Sequence, residues 1–380
     1  MEFKKVVIVT NVPNPYRIPL FNEIHSQLLH RGIELKVLFG AENYSRRKHR
    51  LNLAECSFTY DFLDSPKYHF GNEEKTYFTY KGMMRALEIE NADCIVMSGF
   101  SMGTTRLWLQ SFFKKTKYII WSGAIKHPGR NDSFLRRLQR RFISARAKSF
   151  IAYGSLASNY LKELGVPEAK IHIAINTVDT AFFSAETRAI RQSLTPSPPT
   201  RFTYIGYLSA RKNVKLLLEI INELSVERKD FILDIIGDGE DKPNLEKFVQ
   251  NHGLSEFVQF HGFRQKAELP AFLARSNCFL FQTDFDIWGL VLNEAMAAGL
   301  TCISSVNAGA TIDLVKDGER GFIVNFRDKE SIKAKIRWVI ENPEKAREMG
   351  ENARVFIERE ASLQVSANGF VSAVVQAVSK

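Results

Sequence analysis

The sequence predicts an α/β fold made of two doubly wound, Rossmann-like domains facing a central cleft. Three observations carry that prediction. Short apolar runs, rich in β-branched and aromatic residues, alternate with helical stretches, and the alternation occurs twice along the chain. The runs lack the strict in-and-out alternation of half-exposed strands, as parallel strands covered on both faces should. With 380 residues, 45% hydrophobic and 25% charged, the chain can fill two cores of ordinary domain size.

Taken in order, the runs at 6–10, 35–39, 94–98, 118–121, 149–152 and 171–175 read as strands, with helices such as 18–31 and 155–164 between them. Strands at 202–205, 231–236, 258–260, 278–281 and 301–304 repeat the plan, with helices at 214–224, 243–252, 267–275 and 290–298. Segment 191–200 contains Thr195-Pro-Ser-Pro-Pro, poor in both helix and sheet, and reads as the linker. The domains expected are therefore 1–190 and 201–360, with a final helix at 361–380 that could cross back to the first. Ligands of such sheets bind outside the carboxyl ends of the strands.

Composition narrows the classes. No apolar stretch reaches the length of a transmembrane helix. The opening MEFKKVVIVTN reads as a first strand rather than a signal peptide. Cys56, Cys94, Cys278 and Cys302 lie far apart without metal-like spacing, as in reduced thiols of a cytoplasmic protein. The net charge is +10, and residues 1–180 hold 27 Lys and Arg against 16 Asp and Glu. The excess positive charge thus sits in the first half, which suits an anionic partner.

The segment from Asp284 through Asp286, Trp288 and Gly289 to Glu294 follows a strand and opens a helix. A helix start offers unpaired N–H groups suited to a pyrophosphate. Gly289 is expected to let a ligand approach the backbone, and Leu290 begins the helix. Side chains lean toward a helix N-terminus, so Glu294 can point back and accept hydrogen bonds from sugar or ribose hydroxyls, with Asp286 binding others. The plainer alternative is a capped amphipathic helix with a solvated glutamate.

This segment resembles the signature of the retaining GT-B glycosyltransferases of family four: an acidic residue, seven intervening residues, then glutamate. The stretch 304–324 resembles the family's glycine-rich continuation. Two departures stand out, Asp286 in place of the usual glutamate and Trp288 in place of phenylalanine. The resemblance extends to Ile205-Gly-Tyr-Leu-Ser-Ala-Arg-Lys-Asn, where Gly206 ends a strand and Lys212 falls at the family's phosphate-binding lysine. Tyr207 stands where the family has arginine, and Arg211 is the candidate replacement. Gly237 and Gly239 resemble the family's turn beside the donor, and Phe263 and Arg264 occupy its nucleotide-base position.

In the first half, Asn11-Val-Pro-Asn-Pro-Tyr-Arg17 replaces a glycine pair found in many relatives. Asn14, Tyr16 and Arg17 are candidates for phosphate or acceptor contacts, the alternative being a rigid turn that leads into a helix. His127 is a candidate for the cleft histidine of retaining members, or a surface histidine. Asn176-Thr-Val-Asp179 resembles a family turn and reads as mainly structural. Residues 132–148 read as a basic amphipathic helix, suited to an anionic membrane surface or to an ordinary packed role. The loop Arg46-Arg-Lys-His-Arg50 could join that surface. No nucleic-acid motif accompanies them.

The resemblance implies a retaining, metal-independent transfer of a hexose-type sugar. The donor is a nucleotide-diphosphate sugar, with no further cofactor, and the acceptor is a glycan or lipid-linked hydroxyl. Such an enzyme would be cytoplasmic, peripheral on the inner face of the membrane. A nucleotide-sugar 2-epimerase on the same architecture and a two-domain sugar-binding protein are the competing readings.

Overall fold

The computed structural model describes residues 4–42, 51–63, 67–69, 76–126, 133–194 and 199–379. It divides into two units, residues Met1–Val178 with Leu363–Lys380 (unit 1) and Asp179–Ser362 (unit 2).

Unit 1 holds strands β1 (Lys4–Thr10), β2 (Ile33–Phe39), β3 (Thr59–Phe62), the hairpin β4 (Lys67–His69) and β5 (Thr76–Phe78), β6 (Cys94–Ser98), β7 (Tyr118–Ser122), β8 (Ser149–Ala152) and β9 (Ile171–Ile173). Seven of them form one parallel sheet in the order β3-β2-β1-β6-β7-β8-β9. Unit 2 holds β10 (Thr200–Ile205), β11 (Phe231–Ile236), β12 (Val258–Gly262), β13 (Cys278–Phe281), β14 (Thr301–Ser305) and β15 (Phe322–Val324), parallel in the order β12-β11-β10-β13-β14-β15. In each sheet the order reverses once, beside β1 in unit 1 and beside β10 in unit 2. Crevices for ligands open at such reversals, at the carboxyl ends of the strands.

Central strands are buried throughout: Val6, Val7, Ile8 and Val9 of β1 and Cys278 to Phe281 of β13 are sealed from solvent. That explains their continuous apolar sequence. The edge strands β3 and β15 escaped the sequence reading because each is short. β3 also alternates exposed and half-buried residues (Thr59, Tyr60, Asp61, Phe62).

The division between units falls at Val178/Asp179. The helix Thr180–Gln192, which the sequence reading placed in the first domain, lies in unit 2. Residues 195–198 of the expected linker lie outside the described residues. The helix Leu363–Ser379 is part of unit 1. Its Phe370 ring packs on Trp121 at 4.8 Å between centroids, and the Ser149 hydroxyl donates to the Ala373 carbonyl at 2.8 Å. All four cysteines are free thiols, three of them buried.

Candidate functional site

In unit 2 the loops after β10 and β13 meet. The chain leaves β10 through Gly206 and makes a short turn, Ala210–Lys212. It enters the helix Val214–Glu227 over Asn213, whose φ is 47°. Lys212, only 8% exposed, places Nζ 2.5 Å from Asp286 Oδ2. Arg211 Nη1 donates to the Phe285 carbonyl at 2.5 Å, and the Asp284 N–H donates to the Arg211 carbonyl at 3.1 Å. The two basic residues therefore stitch one loop to the other. Arg211, expected as a spare phosphate cation, is at least partly committed to that backbone. Asp286 is expected from sequence to bind hydroxyls; here its Oδ2 pairs with Lys212 and its Oδ1 accepts the Trp288 N–H at 3.3 Å.

The loop after β14 holds the β13 loop from its other side. The Asp286 N–H donates to the Asn307 carbonyl, the Gly309 N–H to the Asp286 carbonyl and the Ala310 N–H to the Trp288 carbonyl. A Cβ on Gly309 would come within 2.1 Å of the Ile287 carbonyl oxygen, so glycine is what allows this contact.

Gly289 begins the helix Leu290–Ala297 without a side-chain cap. Among the described residues the N–H groups of Leu290 and Val291 have no partner, which leaves donors for an anion. Packing by itself already requires glycine at 289. Its φ is 101°, and an added Cβ would lie 2.1 Å from the Phe281 ring. The space on its Cβ side is filled by a neighbouring side chain. Gly237 and Gly239 also stand where backbone meets backbone. Their Cβ atoms would lie 1.9 Å from the Gly206 carbonyl oxygen and 2.1 Å from that of Leu208, so they let the β11 loop rest on the β10 loop. Trp288, expected to tune the sugar, is 4% exposed. Its indole Nε1 donates to Asn293 Oδ1 at 3.0 Å, which makes it a core residue.

Glu294 lies in the second turn of this helix. Its Oε2 is enclosed and has no hydrogen-bond partner. Burial pushes its carboxyl up to about 8, against the opposing pull of the Lys266 charge. An enclosed, unmatched carboxyl is costly, and ligand hydroxyls are the chemistry that would match it. Lys266 escaped the sequence reading because no motif surrounds it. It also pairs with Asp179 Oδ2 at 3.3 Å, so the turn read as mainly structural supplies a charge next to the site.

Phe263 and Arg264 follow β12, beyond Gly262. Arg264 Nη1 donates to Glu268 Oε1 at 3.1 Å, and the guanidinium lies over the Phe272 ring. His261, two residues before Phe263, shares a 2.7 Å hydrogen bond with Asp234 Oδ1, whose Oδ2 takes Arg201 at 3.0 Å. His127 lies outside the described residues. Among those residues no group of three His, Cys, Asp or Glu could hold a metal ion.

Asn14, Tyr16 and Arg17 belong to unit 1, in the loop between β1 and the helix Ile18–Leu29. Arg17 is enclosed by the Trp121, Tyr16 and Tyr153 rings.

Residues 186–356 match the model of the family described as glycosyl transferases group 1. WcaL of Salmonella typhimurium, named as a candidate colanic acid biosynthesis glycosyltransferase, is 26% identical over 197 residues, 50% of this chain and 47% of that protein. The alpha-D-kanosaminyltransferase of Streptomyces kanamyceticus is 26% identical over 193 residues, half of each chain. The chain thus spans about half the length of the curated relatives it matches. Anabaena HepE, solved in complex with UDP, shares the GT-B fold with a TM-score of 0.73 at 15% identity, covering 98% of this chain and 99% of that one.

Proposed function

We propose that this chain, whose residues 186–356 carry the group 1 glycosyl transferase domain, moves a hexose-type sugar from a nucleotide-diphosphate donor to a hydroxyl of a glycan or lipid-linked acceptor. The observation that carries the reading is the enclosed, unmatched Glu294 Oε2 on a helix whose start has unpaired N–H groups, with the Lys212–Asp286 pair tied to the loop that leads into it. Hydroxyls of the donor sugar or ribose satisfy Glu294, and the diphosphate meets the Leu290 and Val291 N–H groups. Lys212 then exchanges part of its contact with Asp286 for the leaving diphosphate, stabilising the charge that develops there. Asp286, released in the same exchange, accepts a hydroxyl.

The transfer proceeds with retention and without a metal: the sugar–diphosphate bond breaks to an oxocarbenium-like sugar, and the acceptor hydroxyl attacks from the face the diphosphate leaves, passing its proton to a departing diphosphate oxygen. Asp286 and Glu294 are hydroxyl binders in this scheme, not the paired acid and nucleophile of a glycosidase. The name of WcaL supports a role in cell-surface polysaccharide or glycolipid synthesis, and the UDP held by HepE supports a nucleotide-diphosphate donor.

A donor screen tests the reading: thermal shift of the intact chain and of Glu294→Ala with UDP-, GDP-, ADP- and dTDP-sugars. At about 100 times its dissociation constant a donor adds roughly 2.7 kcal/mol. A shift for one nucleotide class, lost in Glu294→Ala, is expected; no shift with any donor counts against it. The anomeric configuration of the product, read by NMR, decides retention. Epimerised sugar nucleotide formed without acceptor would favour the 2-epimerase instead.

The acceptor side carries a further part of the proposal, docking on an anionic membrane surface at the cytoplasmic face. No helix among the described residues is long and apolar enough to cross a membrane. The helix Phe134–Arg146 carries Arg136, Arg137 and Arg141. It exposes Phe134 (77%), Leu135 and Phe142, and the turn after the helix Met102–Gln110 exposes Phe113 (89%). Arg146 ties the two helices by donating to the Ser111 hydroxyl and carbonyl. Apolar side chains with basic neighbours suit an interface of anionic lipid. Co-sedimentation with phosphatidylglycerol vesicles, lost in Phe113→Ser with Phe134→Ser, is the expected result.

A further inference from the structure

A guanidinium cannot shed its charge, and one enclosed without a carboxylate is an incomplete electrostatic arrangement. The loop after β1 holds such a group. Arg17 is 8% exposed, with its guanidinium carbon 4.3 Å from the centroid of the Trp121 ring, 5.2 Å from that of Tyr16 and 5.4 Å from that of Tyr153. Of its five donors, Nη2 reaches the neutral Tyr153 hydroxyl at 3.2 Å. Among the described residues no carboxylate comes within ion-pair distance of it. Aromatic faces return about 0.5–2 kcal/mol to a cation, less than the several that enclosing an unpaired charge costs.

Two further observations point to a ligand. The loop lies at the carboxyl end of β1, where the strand order of unit 1 reverses. In the same loop Asn14 Oδ1 is enclosed and has no hydrogen-bond partner. An oxyanion on Arg17 and a hydroxyl donated to Asn14 would complete both groups.

We propose that Arg17 is the receptor for a phosphate or carboxylate on the acceptor, and that the acceptor is therefore an anionic sugar or lipid. The word acceptor rests on the glycosyl-transfer reading; the oxyanion site does not. The same chemistry could come from the donor diphosphate, and the test separates the two sources.

The probe is inorganic phosphate, titrated into the intact chain and followed by 31P line width, with and without saturating UDP. Wild type, Arg17→Met, Arg17→Lys and the exposed control Arg359→Met are compared. Losing a charge-assisted pair of this kind costs about tenfold or more in affinity. The expected result is that loss in Arg17→Met with UDP present, no change in Arg359→Met, and a weakening of about threefold or more in Arg17→Lys, which keeps the charge and loses the planar fork. Equal phosphate binding by wild type and Arg17→Met overturns the proposal. If Arg17→Met does not fold, wild-type affinity in Arg17→Lys overturns it instead. Phosphate displaced by UDP, with UDP itself weakened in Arg17→Met, assigns the oxyanion to the donor and overturns the acceptor assignment. Wild type that binds phosphate through Arg17 but no nucleotide would sink the donor reading and leave the oxyanion site standing.

Discussion

The loops after β10 and β13 in unit 2 and the loop after β1 in unit 1 occupy equivalent places in two sheets of the same winding, and they are built in opposite ways. In unit 2 the charges meet each other: Lys212 has Asp286, Arg211 has the Phe285 carbonyl, and three backbone hydrogen bonds bind the β13 loop to the β14 loop. Among the groups left over is the Glu294 Oε2. In unit 1 the single enclosed cation of the β1 loop, Arg17, has aromatic faces and a phenol for company. A site that is matched before its ligand arrives holds its charges in place and exchanges one partner for the ligand. A site with an unmatched charge depends on its ligand for completion and so selects ligands that carry the missing sign.

The sharpest way to break this contrast is at Lys212. Lys212→Met is expected to lower kcat/KM about 100-fold or more and to reduce the donor thermal shift, whereas Arg17→Met keeps that shift. Equal loss in both would erase the distinction between the loops. Next in size is the rigidity of the unit 2 loops. Gly289→Ala forces a side chain onto a backbone at φ 101° and into the Phe281 ring, for an expected loss of about 3 kcal/mol in denaturant unfolding. Phe281→Leu in the same chain should return part of it. A Gly289→Ala protein as stable as wild type would mean that the loop is free to shift.

Glu294 sharpens the contrast through pH. With its carboxyl raised to about 8 in the folded chain, the group is neutral in both states at low pH. The stability it contributes is present below the ordinary carboxyl range and lost as pH rises through about 8. Glu294→Gln removes that loss, so its stability relative to wild type should rise by roughly 4 kcal/mol between about pH 5 and pH 9. A flat difference would show that the carboxyl is solvated. The smallest effect is expected at Trp288. Trp288→Phe gives up the hydrogen bond to Asn293 and about 1 kcal/mol, with donor preference unchanged. A changed preference in the donor screen would return the ring to the site.

Much of this was legible in the chain. The strands at 94–98, 149–152, 231–236 and 278–281 match the structure end to end, because buried parallel strands write themselves as unbroken apolar runs. Lys212 and Asp286, picked out by spacing and resemblance, meet at the ends of β10 and β13. What the sequence hid is partnership. Nothing in the letters says that Phe281 occupies the space beside Gly289, that the carbonyls of Gly206 and Leu208 press on Gly237 and Gly239, or that Trp288 turns inward to Asn293. Glycine is read equally well as room for a ligand and as room for a neighbour, and only packing decides between them. Arg17 is the reverse case: the residue was visible, but its cage comes from Trp121 and Tyr153, which are distant in sequence.

The helix Leu363–Ser379 has a bearing on how the chain is made. Unit 2 is contiguous and can close once Ser362 has been synthesised, whereas unit 1 is divided and is completed only by the helix that follows Ser362. Until that helix emerges, Trp121 lacks Phe370, Ser149 lacks the Ala373 carbonyl, and the apolar residues against which Val371 and Val374 settle stay uncovered. During translation the nascent N-terminal sheet would wait, partly open, through the synthesis of the whole second unit. That is the interval in which a holdase would find its surface.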